Sequence, residues 1–391
     1  MPAAPTVLQV LPALVSGGVE RGTLEIADAV IRAGGRALVA SAGGPLVGPL
    51  ERLGARHVTL PLATKNPLGI LRNAGRLAAV IRDEGVGIIH ARSRAPAWSA
   101  LLAARRTAAH FVTTYHGTYN EDFPGKRWNN SVMARGERVI AISNFIAGHI
   151  REHHGTEPAR IRVIPRGVDT ALFDPALVTP ARLEALRAAW GLPAGRPVIM
   201  LPGRLTRWKG QGVLADAMAQ VPDAVAVLVG GGAAHRRELE ARIAALGLQD
   251  RVRLVGHADD MPAALLLADI VVHASTDPEA FGRTVIEAQA MARPVIAADL
   301  GAPRETVQQG VTGWRVTPGD PAALAALLRQ VLDLPAAARA AIGVRARAHV
   351  LQAYTTAAMQ AATLDLYRDL GRELGRDLGR DLGRNRGRDR G

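Results

Sequence analysis

The sequence contains no cysteine. That excludes disulfides and thiolate sites for metal or redox chemistry, and it fits a reducing compartment. No apolar run approaches the ~18 residues of a membrane-spanning helix. Met1 to Leu14 has no charged leading region and runs straight into Gly17-Gly18, so it reads as a first strand and not as a signal peptide. The expectation is a soluble, cytoplasmic protein. Lysine is scarce, with only Lys65, Lys126 and Lys209. No Asp-x-Asp occurs anywhere to hold Mg²⁺ between paired carboxylates. There is no G-x-x-x-x-G-K-[ST] loop and no G-x-G-x-x-G, which disfavours a P-loop NTPase and a nicotinamide enzyme. Neither a Ser/His/Asp order nor a metal-ligand spacing stands out.

What is present is an alternation. The 391 residues, 48% of them hydrophobic, suffice for two ordinary domains. Strand-like runs at Val7 to Leu11, Arg36 to Ala42, Val58 to Leu60, Gly87 to His90, Phe111 to Tyr115, Arg138 to Ile142 and Ile161 to Ile164 are separated by helical stretches such as Gly69 to Glu84. Such alternation means parallel βαβ units and a doubly wound sheet. The pattern restarts after a polar connector near Pro180 to Trp190. New strands follow at Pro197 to Leu201, Ala224 to Val229, Val252 to Val255, Ile270 to His273, Pro294 to Ala298 and Gly313 to Val316. The expected organisation is α/β, two tandem Rossmann-like domains at 1–175 and 176–345. A terminal helix at 346–367 is expected to pack back on the first domain, with a disordered Arg/Asp/Leu/Gly tail at 368–391, where a Gly every fourth residue opposes helix formation. Ligands of such sheets bind beyond the carboxyl ends of the strands. Gly18, His90, His116 and Ser143 lie there in the first domain, and Arg204, Gly232, His257 and Glu279 in the second. Two such rims facing across a hinge make a cleft.

The net charge is +13, of which +8 falls within residues 1–175. A basic first half suggests an anionic partner: nucleic acid, a phospholipid surface or a phosphorylated acceptor. The ordinary alternative is a drift of composition toward arginine.

The chain is organised around Asp277-Pro278-Glu279-Ala280-Phe281-Gly282-Arg283-Thr284-Val285-Ile286-Glu287-Ala288. This stretch joins a buried strand to a helix, and free backbone N–H groups at the helix start suit a phosphate. Two carboxylates flank the turn, Glu279 before the helix and Glu287 inside it. Arg204 and Lys209, five apart after the first strand of the second half, can hold a diphosphate without a metal: Arg as a fork, Lys as a point charge. Gly17-Gly18 lets backbone approach a ligand closely. His116 can donate to a sugar hydroxyl or to developing charge. Read singly, each has an ordinary alternative: a solvated basic loop, a solvated helix glutamate, a structural histidine.

Taken together and in order, Gly17-Gly18, Pro165-Arg166-Gly167-Val168-Asp169, Gly203-Arg204 with Lys209-Gly210, Glu279-x7-Glu287 and Arg293-Pro294-Val295-Ile296-Ala297 resemble a retaining glycosyltransferase of family 4 with the GT-B fold. The resemblance covers residues 6–367. The wording of His90-Ala91-Arg92-Ser93-Arg94 and of Pro278 to Gly282 is similar to bacterial members acting on lipopolysaccharide or other cell-envelope glycans. The resemblance implies a nucleotide-diphosphate sugar as donor, a glycan or glycolipid acceptor, no metal cofactor and no nucleic acid partner, with the enzyme cytoplasmic or peripheral on an anionic membrane surface. It implies that Arg204 and Lys209 neutralise the diphosphate, helped by N–H groups near Thr284 and Val285. Glu287 would bind the ribose, and Gly256 and His257 would present backbone to the base. Glu279 and the amides after it, at Phe281 and Gly282, would hold the donor sugar. Gly17 and Gly18 would approach the phosphates, and His116 the sugar near the reacting carbon. Ala280 stands where the family more often has Gly, and Thr284 where Leu is common. Two other readings are a GT-B nucleotide-sugar epimerase and a catalytically inactive partner of a glycosyltransferase complex.

Overall fold

The computed structural model describes residues 5–388 apart from 16, 120, 123 and 124, with side chains as far as Arg372. The chain divides into two compact units, Met1–Pro165 with Met359–Gly391, and Arg166–Ala358. The first holds seven strands: β1 Thr6–Val10, β2 Arg36–Ser41, β3 Arg56–Thr59, β4 Ile88–Ala91, β5 His110–Tyr115, β6 Arg138–Ala141 and β7 Ile161–Val163. Their order is β3-β2-β1-β4-β5-β6-β7, and every pairing is parallel. The second holds six: β8 Val198–Pro202, β9 Val225–Val229, β10 Val252–Gly256, β11 Ile270–His273, β12 Val295–Ala298 and β13 Trp314–Val316. They run β10-β9-β8-β11-β12-β13, again all parallel.

Both sheets therefore reverse direction of winding beside their first strand, at β1 and at β8. The central strands are buried on both faces, which is why they read as unbroken apolar runs and not as alternating ones. Val198, Ile199 and Met200 are fully buried, and each such side chain contributes ~1.5–3 kcal/mol relative to exposure. Each unit has its own core. In the second, Ile199, Leu214, Met218, Leu228, Ile243 and Ile270 cluster with Leu324 and Leu328. In the first, Val7, Ile26, Val30, Ile88 and Val112 cluster with Met359, Leu366, Tyr367 and Leu370 from the end of the chain.

Several expectations change here. The break between units falls earlier than 175, because Phe173 is buried and the segment is tied to the second unit. Arg347 donates to the Phe173 carbonyl and to Asp174, both at 3.1 Å. Arg182 forms a bidentate pair with Asp260 at 2.7 and 2.6 Å. The expected terminal helix at 346–367 is two helices, Ala336–Ala353 and Thr356–Arg388. They part at Tyr354, whose carbonyl accepts from Val168 N while Thr356 N donates to Val168 O, both at 2.9 Å. Gly167 permits this crossing, since a Cβ there would lie 2.4 Å from Thr356. The expected disordered tail begins too soon: Arg368 to Arg372 continue the last helix, and Leu370 is fully buried in the first core. Residues 373–391 lie outside those whose side chains are described.

Two residues expected at the ligand-facing rim of the first unit face inward. His90 is fully buried, its Nδ1 2.6 Å from the Tyr367 hydroxyl and its Nε2 2.7 Å from Thr114 Oγ1. Burial pushes the Tyr367 hydroxyl up, so it stays neutral. Ser143 caps the helix Asn144–His154, accepting from Ile146 N at 3.1 Å.

Candidate active site

Three loops leave the carboxyl edge of the second sheet side by side, after β8, β9 and β11. Gly203 N donates to Val229 O at 2.8 Å and Leu205 N to Gly231 O at 2.9 Å, joining the first two. Thr276 N donates to Trp208 O at 2.7 Å, joining the first and third. The closeness depends on Gly210, which has φ 75° and where a Cβ would sit 1.9 Å from the Ala274 carbonyl oxygen. On the far side the Glu279 backbone bridges to Gly301, and Ala302 N donates to Glu279 O at 2.9 Å. A Cβ on Gly301 would lie 2.5 Å from that same carbonyl oxygen. Glu279 is thus pinned by backbone against the segment after β12.

Its carboxylate is nearly buried, with the side chain 11% exposed, and three donors reach it. Lys209 Nζ forms an ion pair with Oε1, and its ammonium also lies 4.4 Å from the Trp208 ring centre. His273 Nε2 and Ser275 Oγ each approach Oε1 to 3.1 Å. Burial alone works to raise the carboxyl, but His273 and Lys209 outweigh it and hold Glu279 far below the usual carboxylate range. Arg204 differs. Its backbone is anchored by Gln211 Nε2 at 3.0 Å, while its side chain is exposed and pairs with none of the described residues.

The helix Arg283–Ala290 starts from Gly282, which has φ 80°, and no side chain caps its first turn. Val285 N is taken by Gly282 O at 3.0 Å, so this amide closes the turn. Its side chain is fully buried, while Thr284 is half-buried. Phe281 turns inward, its ring edge-on to Tyr354 at 5.9 Å, so only its backbone remains for a ligand. Glu287 is largely buried beside Arg283, 3.7 Å away. Gly256 ends β10 at a register shift with φ 78°, its carbonyl accepting from Gly230 N at 2.7 Å. His257 is exposed.

The structure thus gathers Arg204, Lys209, Glu279, Gly282 and Thr284 along one edge of the second unit. Gly17, Gly18 and His116 belong to the first. Gly17 and Gly18 are exposed and open the helix Gly18–Arg32 after β1, and Arg21 N donates to Gly17 O at 3.1 Å. His116 follows β5 and is half-buried, with a backbone hydrogen bond between it and Tyr119. The sequence reading missed His273, Ser275 and Arg283. The same signal that singled out His116, a polar residue ending a buried strand, also marks His273.

Structural comparison agrees with this layout. A glycosyltransferase from Rickettsia africae superposes with a TM-score of 0.86 at 38% identity, covering 94% of this chain and 98% of its own. The Anabaena protein HepE in complex with UDP follows at 0.83 and 27%, covering 93% and 100%. Two doubly wound parallel domains with this edge define a glycosyltransferase of the GT-B class. Residues 16–172 match the family described as Glycosyltransferase Family 4, and residues 183–349 match Glycosyl transferases group 1. A D-inositol 3-phosphate glycosyltransferase of Xylanimonas cellulosilytica is 31% identical, over 90% of this chain and 91% of the relative. The chain belongs to glycosyltransferase family 4.

Proposed function

We propose that this enzyme moves a hexose-type sugar, with retention and without a metal, from a nucleotide-diphosphate sugar to a cell-envelope glycan or glycolipid. The observation that carries the donor side is the exposed Arg204, unpaired among the described residues, beside the Lys209–Glu279 pair on the loop that opens the second sheet. The slow step breaks the bond from the sugar's anomeric carbon to the diphosphate. Negative charge grows on the leaving group and positive charge on the ring. Arg204, Lys209 and the uncapped start of Arg283–Ala290 meet the first by preorganised electrostatics. Two cations leave no need for Mg²⁺ at the diphosphate. Glu279 and the amides at Phe281 and Gly282 hold the sugar, Glu287 holds the ribose, and backbone at Gly256 and His257 meets the base. The acceptor enters on the leaving group's face, and the departing phosphate takes its proton.

An anionic or membrane-borne acceptor is supported by the +8 within residues 1–175 and by the relative named for D-inositol 3-phosphate. No helix among the described residues is long and apolar enough to cross a membrane, and the attachment proposed here is peripheral, through the basic first domain. The test is to incubate purified protein with UDP-, GDP- and ADP-sugars, with and without EDTA, following donor consumption and the anomer formed. Consumption of one donor in EDTA with retained configuration is the expected result. Strict dependence on Mg²⁺ or Mn²⁺, or an inverted product, overturns the mechanism.

A further inference from the structure

Glu279 is held by one oxygen only. Lys209, His273 and Ser275 all converge on Oε1, whereas Oε2 accepts from none of the described residues. His273 is 6% exposed and Ser275 2%. Facing a carboxylate, His273 Nε2 is the donor, and its buried Nδ1 has no partner among the described residues. The ring therefore has one bond to make, and it makes it to Glu279. The Ser275 hydroxyl reaches the same oxygen and also lies 3.4 Å from His273 Nε2.

The three donors differ in freedom. Lys209 carries a point charge on a flexible four-carbon stem and can swing. His273 ends β11, and Ser275 follows two residues later against the loop that Gly210 admits. Neither can follow a ligand. A diphosphate reaching Arg204 and Lys209 competes with Glu279 for the ammonium, and once it wins, Glu279 keeps only the two short donors. We propose that His273 and Ser275 are positioning residues, holding Glu279 by one carboxylate oxygen while Lys209 turns to the diphosphate, so that the other oxygen accepts a hydroxyl of the donor sugar. This rests on the donor site proposed above and adds the residues that aim its carboxylate.

The test compares His273→Phe, His273→Gln and Ser275→Ala by steady-state kinetics, calorimetric nucleoside-diphosphate binding and melting temperature. Phe fills the ring's space without a donor, and Gln restores an N–H near the position of Nε2. The expected result for His273→Phe is a loss of about tenfold in kcat, the scale of one hydrogen bond to a charged group, with donor KM and diphosphate affinity nearly unchanged. His273→Gln recovers most of the rate, and Ser275→Ala shows the same kcat-only defect. A merely structural role would lower melting temperature and diphosphate affinity together, and the glutamine variant would give no rescue. Either pattern overturns the proposal. Should His273→Phe not fold, Ser275→Ala and His273→Gln decide it, since a wild-type kcat for the serine variant is enough to reject the clamp. A wild-type enzyme that consumes no nucleotide sugar overturns the donor site as well. Variants indistinguishable from an active wild type overturn the positioning role alone.

Discussion

Arg204 and Lys209 stand five residues apart and meet opposite surroundings, one exposed and unpaired among the described residues, the other pressed against Glu279. Replacing either by alanine removes a charge that acts as the diphosphate leaves. Each should lower kcat about a hundredfold, or ~3 kcal/mol, and the double change should cost less than the sum because both act on one leaving group. The two should separate in stability. Arg204→Ala should leave the melting temperature alone. Lys209→Ala leaves a buried carboxylate short of a partner and should lower it. Near-wild-type rates for both variants would place the phosphate site elsewhere. Glu279 also makes a pH prediction. Its folded pKa lies far below its unfolded one, so its contribution is complete above the ordinary carboxylate range and is lost only as pH falls toward the folded value. Melting temperatures measured from pH 7 down should fall more for wild type than for Glu279→Gln, with the difference confined to the acid side. Parallel curves would show that the ion pair does not hold in solution.

At the scale of an element, the β8 and β11 loops are bonded into one piece by a glycine. Gly210→Ala must move the Ala274 carbonyl and also adopt a left-handed φ, at ~1–3 kcal/mol for the backbone alone. Urea denaturation should show that loss, and the displaced Lys209 should lower activity beyond what the lost stability explains. An unchanged midpoint would mean the loop relaxes freely. A second element-scale feature lies on the first unit. The helix Pro67–Asp83 exposes Leu68 (62%) and Leu71 (46%) beside Arg72 and Arg76. It packs on the helix Arg94–Ala104, where Ser99 Oγ donates to Ile70 O at 3.1 Å. From that second helix Trp98 stacks on Trp128, itself 62% exposed, with ring centres 4.5 Å apart, and the Arg135 guanidinium lies 5.1 Å from the Trp98 ring. Exposed tryptophan and leucine among arginines suit the interface of an anionic bilayer. Vesicles of phosphatidylcholine with phosphatidylglycerol should bind the protein more tightly than phosphatidylcholine alone. Salt should weaken that binding, and Trp128→Ala should reduce it several-fold. Equal binding to both vesicle types would reject this face as a membrane contact.

Across the whole molecule, the end of the chain returns to the start. Met359, Leu366, Tyr367 and Leu370 complete the first unit's core, and Tyr367 partners buried His90. Truncation after Arg372 should therefore leave the melting temperature within a degree or two. Truncation before Met359 removes four core side chains, and at ~2–5 kcal/mol for a large buried apolar residue the first unit should not fold. Tyr367→Phe is the milder probe, because it removes only the buried hydroxyl that meets His90 Nδ1 and keeps the ring in the core. An unaffected melting temperature after truncation before Met359 would contradict the packing.

The local physics of the chain was enough for the strands and for much of the site. The central strands are apolar runs bounded by turn residues, because a strand buried on both faces cannot be written otherwise, whereas the edge strand Arg56–Thr59 is mostly polar. Arg204, Lys209 and Glu279 were legible because rim residues follow buried strands directly in sequence. The unit boundary, the crossing of Gly167 with Thr356 and the burial of Leu370 were not, because each depends on a partner more than a hundred residues away. His90 and Ser143 show the same limit: ending a strand puts a polar residue at the rim, but whether it turns to a ligand, a tyrosine or a helix cap depends on neighbours that only folding supplies. Glu279 was visible as a carboxylate. That three donors take one of its oxygens and leave the other was decided where the β8 and β11 loops meet, since no spacing in a sequence fixes the angle at which side chains from different strands converge.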